Sequence, residues 1–355
     1  MSTPVTGPAV AAVPAQFAEA VSIDPNYDDR EGYDPEFLGT GAQSVPLPKL
    51  STAQQADAAV VEGSDSSSSH ELKYHHYSVV LNRRRKLAFF TAVNIDGRRS
   101  RKPKRDPDKW FFDPRVDQAL QIGNPLYKGS VFDRGHLVRR LDPAWGRSEA
   151  IAKVANDDTF HFTNCSPQHK RFNEGKNLWA GLEDYLLLKA GGERKRMVVF
   201  TGPVLEANDP TYKDVAIPRQ FWKVAVVIRS NGKLAALGFL VSQADLIAPV
   251  VEEAAIDMAR TFQVSITDIE EKTGLDFGKL SALEAASVDR FSLEAGATLP
   301  LESFDDIRLP ATEAATTVGR EVSFDVGAGA AAVPQPPAEG YSVDSETMGK
   351  RGFGG

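Results

Sequence analysis

Two pairs of apolar segments, each pair joined by a turn, constrain the fold of this 355-residue chain more than any other feature. Residues 74–82 and 86–95 are rich in β-branched and aromatic side chains and flank a basic turn, which predicts a β-hairpin. Residues 221–230 and 233–242 flank Asn231-Gly232, a strong hairpin-turn signal. A further strand is predicted over residues 197–205.

Helix-like apolar spacing occurs over residues 148–157, 177–190, 246–262 and 266–274. In the last segment, Thr267 and Glu270 have the spacing of a capping box, which predicts a helix start at Thr267. Strands and helices do not alternate in a strict β-α-β rhythm. The sequence therefore predicts an α+β fold with a largely antiparallel central sheet flanked by helices.

Composition divides the chain into three parts. Residues 1–70 are acidic and end in a serine-rich run, which predicts a flexible N-terminal leader. Within it, residues 33–39 and 45–50 hold enough apolar side chains to pack instead as an extended arm across the core. Residues 71–285 form the predicted globular domain, and residues 286–355 a C-terminal extension that is predicted to be disordered from about residue 315.

Charge is distributed unevenly. The net charge is −7, yet residues 71–140 carry 17 basic against 7 acidic side chains. A basic centre between acidic flanks is typical of a phosphate-binding domain, and a solvated surface is the alternative. Residues 98–106 predict an exposed loop that follows a phosphate backbone or is simply solvated; its basic members are Arg98, Arg99, Arg101, Lys102, Lys104 and Arg105.

Several classes of protein are excluded or disfavoured. No run approaches the roughly eighteen apolar residues that cross a bilayer, so no membrane partner is expected. Cys165 is the single cysteine, which excludes an internal disulfide and a multi-cysteine metal site. The N-terminus lacks the pattern of a cleavable export signal, which predicts a cytoplasmic protein unless a dedicated secretion route delivers it.

Two polar clusters stand out in an otherwise apolar setting. Residues 131–146 contain Asp133, Arg134 and His136 around a glycine, and residues 160–185 supply a series of amides and a carboxylate. The specific strings are Asp133-Arg-Gly-His136, Asn164-x-Ser-Pro-Gln168, Phe172-Asn173 and Trp179-Ala-Gly-Leu-Glu183. In this order, they resemble the DNA/RNA non-specific endonuclease family, whose members carry a ββα-metal motif. The resemblance runs from about residue 74 to about residue 280.

The resemblance implies a role for each matching residue. His136 would be the general base, Arg134 would contact phosphate, and Glu183 would hold a metal-bound water. Asn173 would bind a Mg²⁺ or Mn²⁺ ion directly. These roles suit hydrolysis of a phosphodiester, because histidine accepts a proton near neutral pH and a hard cation stabilises charge on phosphate oxygens. Asp133, Asn164, Gln168 and Asn177 are expected to support the site. Asn164 and Gln168 would order its turn, and Asp133 or Glu183 is an alternative, structural partner for Arg134.

The chain departs from the family pattern at two points. Relatives place the tryptophan closer to the metal-binding asparagine, whereas Asn173 and Trp179 are six residues apart here, so Asn177 remains an alternative ligand. Relatives also carry an arginine before the alanine at a strand end in the first hairpin. Lys86 fills that position, with Arg85 beside it, and both are expected to contact phosphate. Lysine keeps the charge but loses the bidentate fork of arginine.

The expected partner is DNA, RNA or both, hydrolysed with little sequence preference because contacts to phosphate carry no sequence information. Two other functions stay open: a catalytically impaired nucleic-acid-binding protein of the same fold, and the nuclease part of a toxin or defence effector. A homodimer is a further expectation from the resemblance. The acidic tails suggest contact with an inhibitor or regulatory partner.

Overall fold

The fold was analysed in a computed structural model that describes residues 21–63, 70–174, 179, 182, 195–229, 231–251, 260–285 and 299–300. The strands are β1 (Glu71–Tyr74), β2 (Tyr77–Asn82), β3 (Leu87–Asp96), β4 (Phe132–His136), β5 (Cys165–His169), β6 (Arg196–Pro203), β7 (Thr211–Tyr212), β8 (Val215–Ala216), β9 (Gln220–Ile228), β10 (Leu234–Ser242), β11 (Arg260–Val264) and β12 (Leu299–Pro300). The helices with described bounds are α1 (Thr52–Asp57), α2 (Asn124–Tyr127), α3 (Glu149–Asp158), α4 (Lys170–Asn173), α5 (Ala244–Val251), α6 (Ile266–Thr273) and α7 (Lys279–Ala285).

The main sheet has eight strands in the order β1-β2-β3-β6-β9-β10-β11-β12. Every neighbouring pair in it is antiparallel. Both predicted hairpins are present as β2–β3 and β9–β10, because the polar turns between them break the apolar segments where the chain must reverse. The prediction of an α+β fold with an antiparallel sheet is confirmed.

The sheet is covered on both faces, since successive side chains of a strand point to opposite sides. One face is formed by residues such as Val79, Val199 and Phe239. The other is formed by their strand neighbours, such as Val198 and Leu240, and packs against α6, α7 and the N-terminal arm. The first face carries the part of the chain that bears the polar clusters.

That part is a smaller unit, here called the finger, formed by β4, β5 and α4. The two strands pair antiparallel as a separate ribbon, and α4 follows β5 directly. Phe172 of α4 and the helical residues Trp179 and Leu182 are buried in the cluster on the first sheet face. Their burial removes large apolar surfaces from water and fixes the finger on the sheet.

Residues 21–63 pack on the domain as an arm. Tyr33, Phe37, Leu38 and Val45 are buried against the second face of the sheet. The Tyr33 amide donates to the Ser78 hydroxyl at 2.8 Å, which joins the arm to β2. The sequence allowed either a flexible leader or a packed arm in the N-terminal region. The residues described here form a packed arm. Residues 1–20, 64–69 and the predicted disordered tail lie outside the described residues.

Two of the helices predicted from the sequence have different ends in the structure. The helix predicted over residues 246–262 overlaps α5, which starts at Ala244, but Arg260–Val264 is a strand that pairs with β10, because sheet pairing overrides a weak helical pattern. Helix α6 starts after Ser265, two residues before the predicted Thr267. The Ser265 hydroxyl accepts from the Asp268 amide at 2.9 Å, and the Asp268 carboxylate accepts from the Ser265 amide at 3.1 Å. Within the described residues, no helix has the length and apolar character to span a bilayer.

Candidate active site

The backbone around His136 is fixed from three directions. His136 ends β4 opposite Cys165 of β5. The Trp179 indole donates to the His136 carbonyl at 3.2 Å, and the Leu137 amide donates to the Asn164 carbonyl at 3.0 Å. The strand end that presents His136 is therefore held by the partner strand and by the buried helix behind it.

Gly135 is required by close packing within the ribbon. A Cβ atom at this position would lie 2.1 Å from Oε1 of Gln168, which is fully buried on β5. Such an approach is far inside van der Waals contact, so only glycine fits without movement. Neither polar atom of the Gln168 side chain has a hydrogen-bond partner among the described residues. Gln168 thus packs inside the finger, in agreement with its predicted supporting position.

The imidazole of His136 lies between two aromatic rings. Its centroid is 4.7 Å from the Trp110 ring and 4.9 Å from the Phe160 ring. Burial lowers the pKa of His136 to about 3, and the cations Arg105, Arg140 and Arg139 act in the same direction while Asp108 opposes them. The ring is accordingly neutral near pH 7 and has a lone pair that can accept a proton. Nε2 is buried and has no hydrogen-bond partner in the described part of the chain.

Asn164 holds the turn that follows His136. Its side-chain oxygen accepts from the Val138 amide at 2.9 Å, and its side-chain nitrogen donates to the carbonyls of Val138 and Thr159 at 2.9 and 3.0 Å. All of the hydrogen-bonding capacity of this amide except one lone pair is used within the fold. Asn164 is therefore engaged in the scaffold and is not directed at a ligand.

Asn173, the last residue of α4, reaches β4 through Asp133. Its side-chain nitrogen donates to Asp133 Oδ2 at 3.2 Å. The amide oxygen of Asn173 and the second oxygen of Asp133 are the hard donors that Mg²⁺ or Mn²⁺ prefers. No group of three or more His, Cys, Asp or Glu side chains that would hold a metal unaided occurs in the described ranges. The donor set therefore fits an ion that takes its other ligands from water and phosphate.

Arg134 lies two residues before His136 on the same side of β4, as the alternation along a strand requires. Its Nη1 donates to Asn124 Oδ1 at 3.0 Å, and the guanidinium lies 5.8 Å from the Trp110 ring centroid. Among the described residues no carboxylate lies within ion-pair distance of it. Its charge is available to an anion next to His136.

Glu183 and Asn177 lie outside the described residues. Their predicted roles, and the choice between Asn173 and Asn177 as the metal ligand, stay predictions.

The first hairpin differs from its predicted geometry. Arg85 and Lys86 belong to the turn between β2 and β3, not to a strand, and Lys86 has a left-handed backbone with φ of 57°. Arg85 donates to Asp209 and to the carbonyls of Glu206 and Ala216. Because Asp209 is buried, this pair is part of the fold, and the geometry argues against Arg85 as a phosphate contact. Lys86 is exposed, and its phosphate contact stays a prediction.

The basic string at residues 98–106 packs partly against the segment that follows β4. Arg99 pairs with Asp96 at 2.7 Å, Arg101 with Glu149 at 3.7 Å and Arg105 with Asp108 at 3.1 Å. The pairs of Arg101 and Arg105 are largely exposed and weak enough to exchange for phosphate, whereas Arg99 pairs with a buried carboxylate. Arg98, Lys102 and Lys104 are exposed, and the role predicted for the whole string stays a prediction.

Four residues near His136 were not anticipated. Trp110 and Phe160 contact its ring, and Arg139 and Arg140 contribute to its electrostatic environment. The pair Arg139-Arg140, which follows the Asp-Arg-Gly-His string after two apolar residues, was a usable signal in the sequence. The aromatic contacts join distant parts of the chain and left no local pattern.

Comparison with known proteins decides the family. The sequence profile of the DNA/RNA non-specific endonucleases matches residues 55–282, which include the whole finger and most of the main sheet. The chain belongs to the DNA/RNA non-specific endonuclease family. It is thus classed with hydrolases that cleave nucleic-acid phosphodiester bonds.

Individual members of the endonuclease family are also similar. Nuclease C1 of Cunninghamella echinulata var. echinulata is 30% identical over 226 residues, covering 58% of this chain and 81% of that protein. Human mitochondrial endonuclease G is 30% identical over 217 residues, covering 54% and 68%. The uncharacterized protein y4fB of Sinorhizobium fredii is 42% identical over 282 residues, covering 75% of this chain but 41% of that protein.

A solved EndoG/EndoGI complex matches with a TM-score of 0.46 and 20% identity, covering 63% of this chain and 89% of that chain.

Proposed function

We propose that this chain is a metal-dependent endonuclease that hydrolyses phosphodiester bonds of DNA and RNA with little sequence specificity. The observation that carries the proposal is the finger itself: β4 bears Arg134 and His136, and Asn173 at the end of the following helix donates to Asp133 of the same strand. Family membership supports the reaction class.

His136 would take the proton from the attacking water, since its ring is neutral at physiological pH. Its aromatic neighbours restrict the ring's rotation and keep bulk water from its faces. Arg134 would bind the non-bridging oxygens of the phosphate, because its guanidinium lies beside the base without a carboxylate partner among the described residues.

Asn173 would hold the Mg²⁺ or Mn²⁺ ion through its amide oxygen, and Asp133 would orient that amide by accepting a hydrogen bond from its nitrogen. The bound ion would stabilise negative charge on the phosphate and on the leaving oxygen. A neutral amide ligand leaves most of the ion's charge for water and substrate, so binding of the ion and of nucleic acid should reinforce one another. Glu183 is the predicted holder of a metal-bound water.

Little sequence preference is expected because the charged groups near His136 are suited to phosphate and not to base edges. Arginine side chains bind the phosphate groups that DNA and RNA share. We accordingly expect both polymers to be substrates.

A plasmid-nicking assay with Mg²⁺ tests the proposal on the wild type and on His136→Ala. We expect the variant to lose at least a thousandfold in rate while it still binds the plasmid. His70→Ala is the matched control, because His70 contacts the Ala59 carbonyl and lies outside the finger. Full activity of His136→Ala would refute the assignment. Binding without cleavage by the wild type would favour the impaired nucleic-acid-binding protein.

A further inference from the structure

Three arginines lie beyond the catalytic strand end and are here called the arginine cluster: Arg105, Arg139 and Arg140. Arg139 and Arg140 follow His136 by three and four residues. Arg105 comes from the basic loop, and all three influence the charge on the His136 ring. The cluster is therefore built from two separate segments of the chain that meet beside His136.

Hydrogen bonds hold these two segments of the chain together. Arg140 Nη1 donates to the Pro103 carbonyl at 3.4 Å and to Asn156 Oδ1 at 3.1 Å, which links the basic loop to α3. Seven residues after Pro103, the Trp110 ring contacts the His136 ring. Residues 103–110 thus run alongside the end of β4, with Arg105 between these two anchored points.

The charged groups in and around the cluster affect one another electrostatically. Arg105 and Arg139 act with burial to lower the pKa of Arg140, and Asp108 opposes them. Asp108 is also the ion-pair partner of Arg105, whose side chain is 65% exposed. Three guanidinium groups held close together repel one another, which costs free energy. An anion bound among them would offset this repulsion.

Arg134 and the pair Arg139-Arg140 of the arginine cluster flank His136 in the sequence. Arg134 precedes His136 by two residues, and the cluster follows it in the direction of the chain. If Arg134 binds the scissile phosphate beside His136, the arginine cluster can bind a different anionic group. A nucleic-acid strand supplies such a group at regular spacing, because every nucleotide carries a phosphate.

We propose that Arg105, Arg139 and Arg140 form a second phosphate site, which binds the phosphate next to the scissile one on the same strand. This inference rests on the proposed endonuclease function. It implies that the enzyme prefers substrates with at least two consecutive phosphodiesters, and that part of the binding free energy of a polymer comes from a group that is not cleaved.

The test compares a thymidine dinucleotide, which has one phosphodiester, with a thymidine hexanucleotide, using the full chain with Mg²⁺. In Arg105→Gln and Arg139→Gln, we expect KM for the hexanucleotide to rise about tenfold, the loss of one charge-assisted contact. Cleavage of the dinucleotide should lose clearly less than cleavage of the hexanucleotide in each variant, because the dinucleotide has no second phosphodiester for the cluster to bind. The slope of log affinity against log salt for single-stranded DNA should fall by about 0.7 for each arginine removed.

Lys272→Gln is the charge-matched control, since Lys272 is exposed on α6, which packs on the other face of the sheet. Arg139→Lys should keep most of the salt slope, because it keeps the charge. Arg105→Gln protects the test against misfolding, since its side chain is exposed and makes no buried contact.

Equal losses on both substrates would overturn the second site, because they would place the cluster at the scissile phosphate or in the fold. Unchanged hexanucleotide kinetics and salt slope would overturn it as well. A wild type that neither binds nor cleaves either substrate would instead refute the proposed function. An active wild type with unaffected cluster variants refutes the second site alone.

Discussion

The guanidinium of Arg85 lies in an ion pair with Asp209, whose side chain is fully buried. Its sequence neighbour Lys86 carries the same charge on an exposed turn. The Arg85 cation therefore stabilises the fold, whereas the Lys86 cation can contact a ligand. The difference arises from residues more than a hundred positions away and is invisible in the local string.

Substituting each residue in turn distinguishes the structural role of Arg85 from the predicted ligand contact of Lys86. Arg85→Gln should lower the free energy of unfolding by about 2 kcal/mol, because it removes the closer of the two arginines that pair with the buried Asp209 carboxylate and leaves only Arg219 at 3.7 Å. Lys86→Gln should change stability by less than about 0.5 kcal/mol and raise KM for DNA a few-fold. Urea denaturation and steady-state kinetics on both variants measure this. A stable Arg85→Gln with a raised KM would restore Arg85 to the phosphate-binding surface.

At the site, the sequence predicted the residues that are fixed by local chemistry. Gly135 and Asn164 have structural reasons to occupy their positions, and His136 ends its strand beside a buried helix. Trp110 was missed because its contact with His136 depends on how the loop before α2 folds back. Such long-range packing leaves no spacing rule along the chain.

At the scale of elements, local signals predicted both long hairpins and β6, but they missed the short strands β4 and β5 of the finger and assigned part of β11 to a helix. Helix ends were also displaced. Two candidate caps compete at the start of α6, and both are hydroxyl residues. Ser265 prevails because its side chain and that of Asp268 exchange hydrogen bonds with each other's amide. Thr267 then falls inside the first turn.

A pair of alanine substitutions tests this assignment. Ser265→Ala should destabilise the protein by about 1 kcal/mol, since it removes the acceptor for the Asp268 amide. Thr267→Ala should be neutral within about 0.5 kcal/mol, because Thr267 is exposed. Thermal or urea unfolding compares the two. A larger loss from Thr267→Ala would return the helix start to the predicted position.

At the scale of the whole molecule, the arm and the finger cover opposite faces of one sheet. The antiparallel order of the sheet followed from the hairpins, but its pairing of β3 with β6 and of β6 with β9 did not, because these contacts span long connections. The fold encloses three histidine rings: His161 is fully buried, and His76 and His136 are mostly covered by neighbouring residues. Burial lowers the pKa of all three, to about 4 for His76 and about 3 for His136.

This burial predicts a loss of stability in mild acid. Between their lowered folded pKa values and the unfolded value near 6.5, these histidines are neutral in the fold but protonated in the unfolded chain. The free energy of unfolding should therefore fall as pH drops from 7 to 5, by on the order of 1–2 kcal/mol for each of His76 and His136, and His161 acts in the same direction. Asp158 does not contribute in this window, because its pKa is lowered to about 2.

Urea titrations at several pH values measure the slope. His76→Asn should reduce it, since asparagine tolerates the left-handed backbone of this residue, with φ of 68°, and does not titrate. A slope that is flat between pH 7 and 5, or unchanged by this variant, would contradict the account.

The central claim is that Asn173 holds the divalent ion beside the base His136. A Mg²⁺ titration of plasmid nicking on the wild type and Asn173→Ala, each with a chelator control, tests it most directly. We predict activity that the chelator abolishes, and a half-saturating Mg²⁺ concentration that rises at least tenfold in the variant. Wild-type cleavage that survives the chelator, or an unchanged Mg²⁺ dependence in Asn173→Ala, would contradict the claim.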